Sequence, residues 1–242
     1  MARDLAPLLE VDGLVKRFGG FTALNRVSIH VKEGERFGLI GPNGSGKTTL
    51  INCISGTLRA DEGRIQFAGT DVTTLQPHRR TQLGIARTFQ IPKPFTSMTV
   101  RENLGIPLEY AGHARGHGAG TEIQDILKEI GLDAKAHVRP AGLTQIEMRK
   151  LELARAMAAR PKLLISDEAM AGLSSAEVDD ILAILFRLSA QGITIIMIEH
   201  IMRAVMRFSE RIVVLDAGER IAEGTPEEIV QNPAVEKAYL GE

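Results

Sequence analysis

The chain has 242 residues, a formal net charge of −1 and a hydrophobic content of 44%, which suits one globular domain with or without an inserted lobe. A net charge this close to zero argues against a protein held on nucleic acid by bulk electrostatics. The single cysteine, Cys53, excludes an internal disulfide and a cysteine-based zinc cluster.

Targeting signals are absent from the sequence pattern. No apolar run reaches the ~18 residues that a membrane span needs, and the first residues do not place an apolar core behind basic residues, as a secretory signal does. We therefore expect a cytoplasmic protein, for which any membrane role comes through a partner.

The first half of the chain predicts strands around a glycine-rich loop. Residues 8–40 alternate apolar and polar positions, which indicates short strands with a turn at residues 32–35. The loop follows, then a helical pattern. Residues 62–72 predict a hairpin, and residues 76–88 predict a helix. Residues 111–120 predict a flexible loop, because His113 and His117 have no acidic or Cys partner nearby for a metal site.

The second half alternates helices and strands. An amphipathic helix beginning near residue 121 places four apolar residues on one face and stops at Gly131; these four are Ile123, Ile126, Leu127 and Ile130. Helices at 144–159, 175–190 and 201–207 then alternate with strands at 162–167 and 193–198, before a hairpin at 211–224. This alternation predicts an α/β fold with a parallel sheet. Residues from about 91 to 155 lack a strand pattern and predict an inserted helical lobe.

The glycine-rich loop carries the clearest chemistry. Its sequence, GPNGSGKT at 41–48, matches the phosphate-loop pattern G-x-x-x-x-G-K-[ST], with a predicted strand before it and a predicted helix after it. Glycines let backbone N–H groups close around phosphate oxygens. The Lys side chain can reach the β- and γ-phosphates, and the Thr hydroxyl can bind Mg²⁺. We predict a nucleoside triphosphate site at Gly41, Pro42, Asn43, Gly44, Ser45, Gly46, Lys47, Thr48 and Thr49.

Two carboxylates end the predicted strand at 162–167. In NTPases with such a loop, the Asp at this place holds Mg²⁺ through water, which is the role we expect for Asp167. Glu168 would polarise the attacking water. The alternative, two solvated acids in a turn, fits poorly because a buried apolar run does not end in adjacent charges without a reason. Ser166 interrupts the run, and the sequence suggests no function for it.

With these motifs the chain resembles the nucleotide-binding subunit of an ABC transporter over nearly its whole length. The resemblance implies an ABC ATPase cassette: a P-loop core with a parallel sheet, an antiparallel β-subdomain and an inserted helical lobe, all in one domain over residues 1–242. It implies that Phe18 stacks on adenine, that Gln90 contacts Mg²⁺ and the water, and that His200 stabilises charge on the γ-phosphate. A core or hairpin role for Phe18 is an open alternative.

The family signature, L-S-G-G-Q, is altered here to Leu143, Thr144, Gln145, Ile146 and Glu147. In the family it binds the γ-phosphate held by a second subunit. Thr144 keeps a hydroxyl, but the flexible glycines are lost and Ile146 adds bulk. T-x-x-E is also a capping box, which would turn Glu147 away from the nucleotide. Two interpretations stay open: a weakened clamp, and a capped helix without a clamp role. Ser174 stands where the family has an Asp at its dimer contact.

Several segments look most like importers of branched-chain and other hydrophobic amino acids; they are FGGFTALNRVSIHVKEGE, GIARTFQ, MTVREN and NPAVEKAYLGE. The resemblance implies ATP and Mg²⁺ as cofactors. It implies transmembrane permease subunits, a second ATPase subunit and, indirectly, a periplasmic or extracellular solute-binding protein as partners, and no nucleic acid. The chain would lie at the cytoplasmic face of the membrane, with Phe95 and Met98 near the permease contact. An ATPase subunit of lipopolysaccharide or lipid export is the alternative, since it shares the YLGE ending.

Overall fold

The computed structural model describes residues 7–111 and 119–240, whose strands form two sheets. The first is antiparallel, has the strand order β2-β1-β4-β5, and consists of β1 (Leu9–Phe18), β2 (Phe21–Val31), β4 (Glu62–Phe67) and β5 (Thr70–Asp71). The second has the order β10-β9-β3-β8-β7-β6 and consists of β3 (Arg36–Ile40), β6 (Ile85–Arg87), β7 (Leu163–Asp167), β8 (Thr194–Ile198), β9 (Arg211–Asp216) and β10 (Glu219–Gly224). In the second sheet only β10 pairs antiparallel to its neighbour.

The helices within the described residues surround this second sheet and build the lobe. They are α1 (Lys47–Ser55), α2 (Pro77–Leu83), α3 (Val100–Tyr110), α4 (Ala119–Ile130), α5 (Gln145–Ala158), α6 (Ser175–Ala190), α7 (Met202–Phe208), α8 (Pro226–Val230) and α9 (Pro233–Leu240). None of the helices in these parts of the chain is long and apolar enough to cross a membrane.

The parallel sheet is buried on both faces. Along β7, Leu163 and Ile165 belong to the apolar cluster shared with the antiparallel sheet and α1, whereas Leu164 belongs to the cluster shared with α5 and α6. Successive side chains of a strand point to opposite faces, so a strand covered on both sides reads as an apolar run rather than an alternation. This is why IIMI in β8 and LLI in β7 were recognisable as core strands.

The lobe lies between β6 and β7, and its described residues hold helices and no strand. Helices α3, α4 and α5 pack against one another. The amphipathic pattern of α4 is confirmed, because the four apolar residues expected on one face are the buried ones. Gly131 follows α4 with a φ of +77°, a left-handed conformation that glycine adopts without a steric penalty and that ends the helix.

The helix expected over residues 76–88 is wrong at its second half. Helix α2 ends at Leu83, and Gly84, with a φ of +109°, turns the chain. Residues 85–87 then form β6, the edge strand paired in parallel with β7. Three residues are too few to show the alternation of apolar and polar side chains that is typical of a strand. Only their pairing with β7 identifies them as a strand. This edge strand places Arg87 beside the end of β7.

The remaining sequence expectations have simple outcomes. The hairpins are confirmed as β4–β5 and β9–β10. Most of the loop expected at 111–120, including His113 and His117, lies outside the described residues, as do residues 241–242 of the YLGE ending. Within the described ranges there is no cluster of three or more His, Cys, Asp or Glu side chains able to hold a metal ion.

Candidate active site

The glycine-rich loop joins the end of β3 to the start of α1, as its pattern predicts. Gly41 has a φ of +150°, and a Cβ there would lie 2.0 Å from the Leu215 carbonyl oxygen. Gly46 has a φ of +102°, and a Cβ there would lie 2.7 Å from the Ala23 carbonyl oxygen. Both positions therefore exclude every side chain. Gly46 also offers no side-chain cap to α1, so the N–H groups of its first turn face the loop as an anion site.

Lys47 is folded back onto the loop. Its Nζ donates to the carbonyl oxygens of Gly41 at 2.7 Å and Pro42 at 2.9 Å, and approaches Ser45 Oγ at 3.3 Å. Burial lowers the pKa of the Lys47 ammonium, while the nearby carboxylates of Glu168 and Asp167 act in the opposite direction. The Lys47 ammonium is thus bound by neutral oxygen atoms, which phosphate oxygens can replace as its hydrogen-bond acceptors.

Glu168 is held from two sides by predicted site residues. Its Oε1 lies 3.0 Å from His200 Nε2, and its Oε2 accepts a hydrogen bond from the Gln90 side-chain amide. Glu168 itself has a φ of +47°, which is strained for a residue with a side chain. Its backbone N–H donates to the Ile198 carbonyl at 2.9 Å, so β8 supports this turn. Glu168 and Gln90, both expected to contact the attacking water, and His200, expected to stabilise charge on the γ-phosphate, therefore meet in one hydrogen-bonded group.

Asp167 forms a buried ion pair that the sequence did not suggest. Its Oδ2 lies 2.6 Å from Arg87 Nη2, and both side chains are almost fully buried. Its backbone N–H donates to Thr88 Oγ1 at 3.2 Å. Among the described residues none hydrogen-bonds the Oδ1 atom, which leaves that oxygen for a cation. Thr48, the second expected ligand, lines the adjacent cleft.

A cleft of about 280 Å³ brings most of the expected residues together; its lining consists of Phe18, Phe21, Ala23, Asn43, Gly44, Ser45, Gly46, Lys47, Thr48, Thr49, Glu168 and His200. Phe18 is 48% exposed and Phe21 is 63% exposed. This exposure argues against a core role for Phe18, whereas its pairing with Phe21 across the β1–β2 hairpin matches the hairpin alternative. Both rings line the cleft, where an aromatic ring can stack on a base. Phe21 was not identified from the sequence.

The altered signature segment does not line this cleft. Thr144 caps α5: its Oγ1 accepts from the Glu147 N–H at 3.4 Å, and Glu147 Oε2 accepts from the Thr144 N–H at 2.8 Å. Lys135 Nζ also contacts Glu147 Oε2 at 2.7 Å. These bonds, that from Lys135 foremost, lower the pKa of Glu147. The capping box that the sequence allowed is therefore formed, and it turns the carboxylate back towards its own helix.

Ser174 has an equivalent structural role at α6. Its hydroxyl accepts from the Glu177 N–H, and the Glu177 carboxylate accepts from the Ser174 N–H at 2.8 Å. Ser, like Asp, is a favoured N-cap residue, so the change from the family's Asp is compatible with this helix start. Ser166, in β7, is fully buried, and its hydroxyl has no hydrogen-bond partner among the described residues.

Three further residues near the site were missed because the groups that they approach lie in distant segments. Arg149, on α5, donates to the carbonyl oxygens of Gln90 and Ala171. Glu199 accepts from the backbone N–H of Met170. Burial raises the pKa of the Tyr239 phenol, and the backbone of Gly41 in the phosphate loop acts in the opposite direction. Nothing in the residue types alone marks these positions.

This arrangement of sheet, lobe and phosphate cleft is that of an ATP-binding cassette. Residues 24–171 match the family profile described as ABC transporter, and residues 219–242 match the profile described as branched-chain amino acid ATP-binding cassette transporter. The chain is 38% identical to the high-affinity branched-chain amino acid transport ATP-binding protein BraF of Pseudomonas aeruginosa, over 98% of both chains.

Solved structures agree with these matches. The crystal structure of the ADP conformation of an ATP-binding cassette of an ABC transporter superposes with a TM-score of 0.89, at 35% identity over 98% of this chain and 100% of that one. A dimeric post-hydrolysis cassette bound to ADP and Pi superposes with a TM-score of 0.81, at 26% identity over 90% and 98%. The chain belongs to the ATP-binding subunits of ABC transporters, in their branched-chain amino acid group.

Proposed function

We propose that the chain is the ATP-hydrolysing subunit of an importer for branched-chain amino acids, working as one cassette over residues 1–242 with the lobe at about 91–155. The observation that carries the catalytic assignment is Glu168, held by Gln90 and His200 beside the phosphate loop. The relatives' role in branched-chain amino acid transport supports the solute class.

ATP binding is assigned to the cleft. Backbone N–H groups of residues 43–49, which include the start of α1, would surround the phosphates. Lys47 would exchange its present carbonyl partners for β- and γ-phosphate oxygens, which satisfies its charge better than neutral acceptors do. Phe18 and Phe21 would contact the adenine ring.

The residues beside the phosphate loop fit Mg²⁺. The expected donors, Thr48, Asp167 and Gln90, offer hydroxyl, carboxylate and amide oxygens, which are the hard ligands this ion prefers. A site with few protein ligands is usual for Mg²⁺ bound together with nucleotide phosphates, and the free Oδ1 of Asp167 suits it. When bound, the ion neutralises charge on the phosphate oxygens.

Hydrolysis is assigned to the Glu168 group. The carboxylate would orient a water molecule towards the γ-phosphorus and accept its proton. Gln90 and His200 hold both carboxylate oxygens, so the side chain has one orientation before ATP binds. His200, whose side chain is about half exposed, can also donate to a γ-phosphate oxygen as charge develops there.

A second cassette would complete the site, as in the dimeric relative. Thr144, Gln145, Ile146 and Glu147 would face the nucleotide of that partner. Since Thr144 and Glu147 satisfy each other, phosphate binding here depends on the N–H groups of α5 or on release of the Thr144 hydroxyl. A partner with an intact signature would give two unequal ATP sites.

Docking to transmembrane permease subunits is assigned to the groove between the lobe and the core. It has a volume of about 200 Å³ and is lined by residues that include Arg87, Phe89, Pro107 and Arg155. Phe89, which lines it, is exposed, and so is Phe95, whose ring centroid lies 5.2 Å from the guanidinium of Arg155. The permease would hold the chain at the cytoplasmic face of the membrane, and the solute-binding protein would act from the other side.

Gel filtration and ATPase assays of Glu168→Gln test this proposal. We expect the variant to bind Mg-ATP but to hydrolyse it at least about 100-fold more slowly. Hydrolysis at the wild-type rate would contradict the assignment. An ATP-dependent homodimer would show that the altered signature still binds phosphate, whereas an ATP-bound monomer would point to a different partner cassette. Lys47→Ala is the control, since it should neither bind ATP nor dimerise.

A further inference from the structure

Glu199 is a buried carboxylate that the hydrolysis scheme does not use. It lies between the end of β8 and His200, is only 3% exposed, and its Oε1 accepts the Met170 N–H at 2.8 Å. Met170 is two residues beyond Glu168. Glu199, the residue before His200, thus binds the backbone two residues after Glu168.

A second buried side chain, Arg149, binds the same segment. It projects from α5, is largely buried, and its Nη2 donates to the Ala171 carbonyl at 3.0 Å. Its Nη1 donates to the carbonyl of Gln90. One guanidinium therefore joins the helix behind the signature to both the Gln90 loop and the residues that follow Glu168.

These contacts hold Glu168 in a strained backbone conformation. Its φ of +47° is costly for a residue with a Cβ, and such a conformation persists only where surrounding bonds over-determine it. The side chain of Glu168 must also stay between Gln90 and His200. Glu199 and Arg149, from two separate elements, bond to Met170 and Ala171 at 2.8 Å and 3.0 Å and so fix the backbone just after Glu168. A longer bond, from Gln145 Nε2 to the Ala171 carbonyl at 3.5 Å, adds to them.

We propose that Glu199 and Arg149 are positioning residues for ATP hydrolysis, which hold residues 168–171 so that Glu168 keeps its strained conformation between Gln90 and His200. Neither side chain lines the ATP cleft. They act through the backbone of the loop, so their loss lowers the rate of hydrolysis and leaves nucleotide binding intact. The inference rests on the proposed role of Glu168.

A purely structural role gives a different expectation. A buried acid without a cationic side chain bonded to it is costly, so its replacement by an apolar residue of similar size often leaves stability unchanged or raised. If Glu199 served only packing, Glu199→Leu would leave the turnover number of the folded protein unchanged, whatever its effect on the midpoint of thermal unfolding. A positioning role predicts a lower turnover number in the folded protein.

Steady-state ATPase kinetics of the full chain, alone and in the transporter complex purified through it, test the proposal. For Glu199→Leu we expect kcat to fall at least tenfold with KM for Mg-ATP within twofold of wild type. Glu199→Gln keeps an acceptor oxygen for the Met170 N–H and should recover most of the rate. A kcat for Glu199→Leu within twofold of wild type, or an equal loss in both variants, would overturn the role of Glu199.

Arg149→Lys keeps the charge but cannot bond two carbonyls in the forked geometry of a guanidinium. We expect a threefold to tenfold loss in kcat with KM unchanged, and this variant carries the test if Glu199→Leu does not fold. An unchanged kcat would overturn the role of Arg149. Glu168→Gln, assayed in parallel, distinguishes a failure of the proposed function from a failure of this inference. If Glu168→Gln hydrolyses ATP at the wild-type rate, the proposed function is wrong. If Glu168→Gln is inactive and Glu199→Leu is fully active, only the positioning role is wrong.

Discussion

The guanidinium of Arg87 and the carboxylate of Asp167 form a buried ion pair, with Nη2 and Oδ2 2.6 Å apart. Arg87 comes from the edge strand β6, and it also donates to Asn52 Oδ1 on α1 at 2.6 Å. The expected Mg²⁺ ligand is therefore tied to the helix that follows the phosphate loop. The Arg87 side chain therefore connects three elements, namely β6, β7 and α1.

Arg87→Met should destabilise the fold markedly. Removal of one partner leaves the Asp167 carboxylate buried and uncompensated, which costs about 3 kcal/mol in the free energy of unfolding. Urea unfolding with nucleotide and metal removed measures this. The exposed pair of Arg64 and Asp71 supplies the control, since solvent screens it and Arg64→Met should change the free energy of unfolding far less. Equal losses in the two variants would contradict the argument.

Glu199 should make stability depend on pH. Burial raises the pKa of its carboxyl group to about 7 and outweighs the bond from the Met170 N–H, which lowers it; the charges of Glu168 and Asp167 add to the rise, and Arg149 opposes it. Between the unfolded and the folded pKa the folded protein binds more protons. The associated stability is thus present at low pH and lost as the pH rises through about 7.

The measurement is urea unfolding of metal-free protein at several pH values from about 5 to about 8, where this shift predicts a difference of about 3 kcal/mol. Glu199→Gln should match wild type at the acidic end and exceed its stability at the alkaline end, because the amide carries no buried charge. Parallel pH profiles for the two proteins would rule out this titration.

Thr144→Ala should reveal whether the altered signature contributes to turnover. Loss of the cap on α5 should cost about 1 kcal/mol of stability. If the Thr144 hydroxyl also binds phosphate across the dimer, ATP turnover in the assembled complex should fall as well. Thr225→Ala is the matched control, because Thr225 forms the same capping box with Glu228 at α8. Unchanged turnover in Thr144→Ala would leave only the capping role.

Ser166→Ala should stabilise the protein by about 1 kcal/mol, because the buried hydroxyl has no partner among the described residues and loses its hydration on folding. Thermal unfolding measures this. Thr194→Val is the comparison: Thr194 Oγ1 accepts the Gly34 N–H at 2.8 Å, so its loss should cost about 1 kcal/mol. A destabilised Ser166→Ala would indicate that the hydroxyl does have a partner.

The sequence alone determined the features that lie within a few consecutive residues. The phosphate loop could be predicted because its strand, its glycines, Lys47 and its helix follow one another directly in the chain. No residue from a distant segment is needed to recognise it. The capping box of Thr144 and Glu147 could be predicted for the same reason, since an N-cap residue and the third helical residue meet within one turn. The parallel strands could be predicted because burial on both faces of the sheet requires an uninterrupted apolar run.

Only the tertiary structure decided which distant residues meet. Strand β6 was misread as helix because its three residues become a strand through pairing with β7, far along the chain. The contacts of Arg87 with Asp167, Glu199 with Met170 and Arg149 with Gln90 span 80, 29 and 59 positions. Such side chains carry no local signal, because a buried charge is defined by the partner that the fold places beside it.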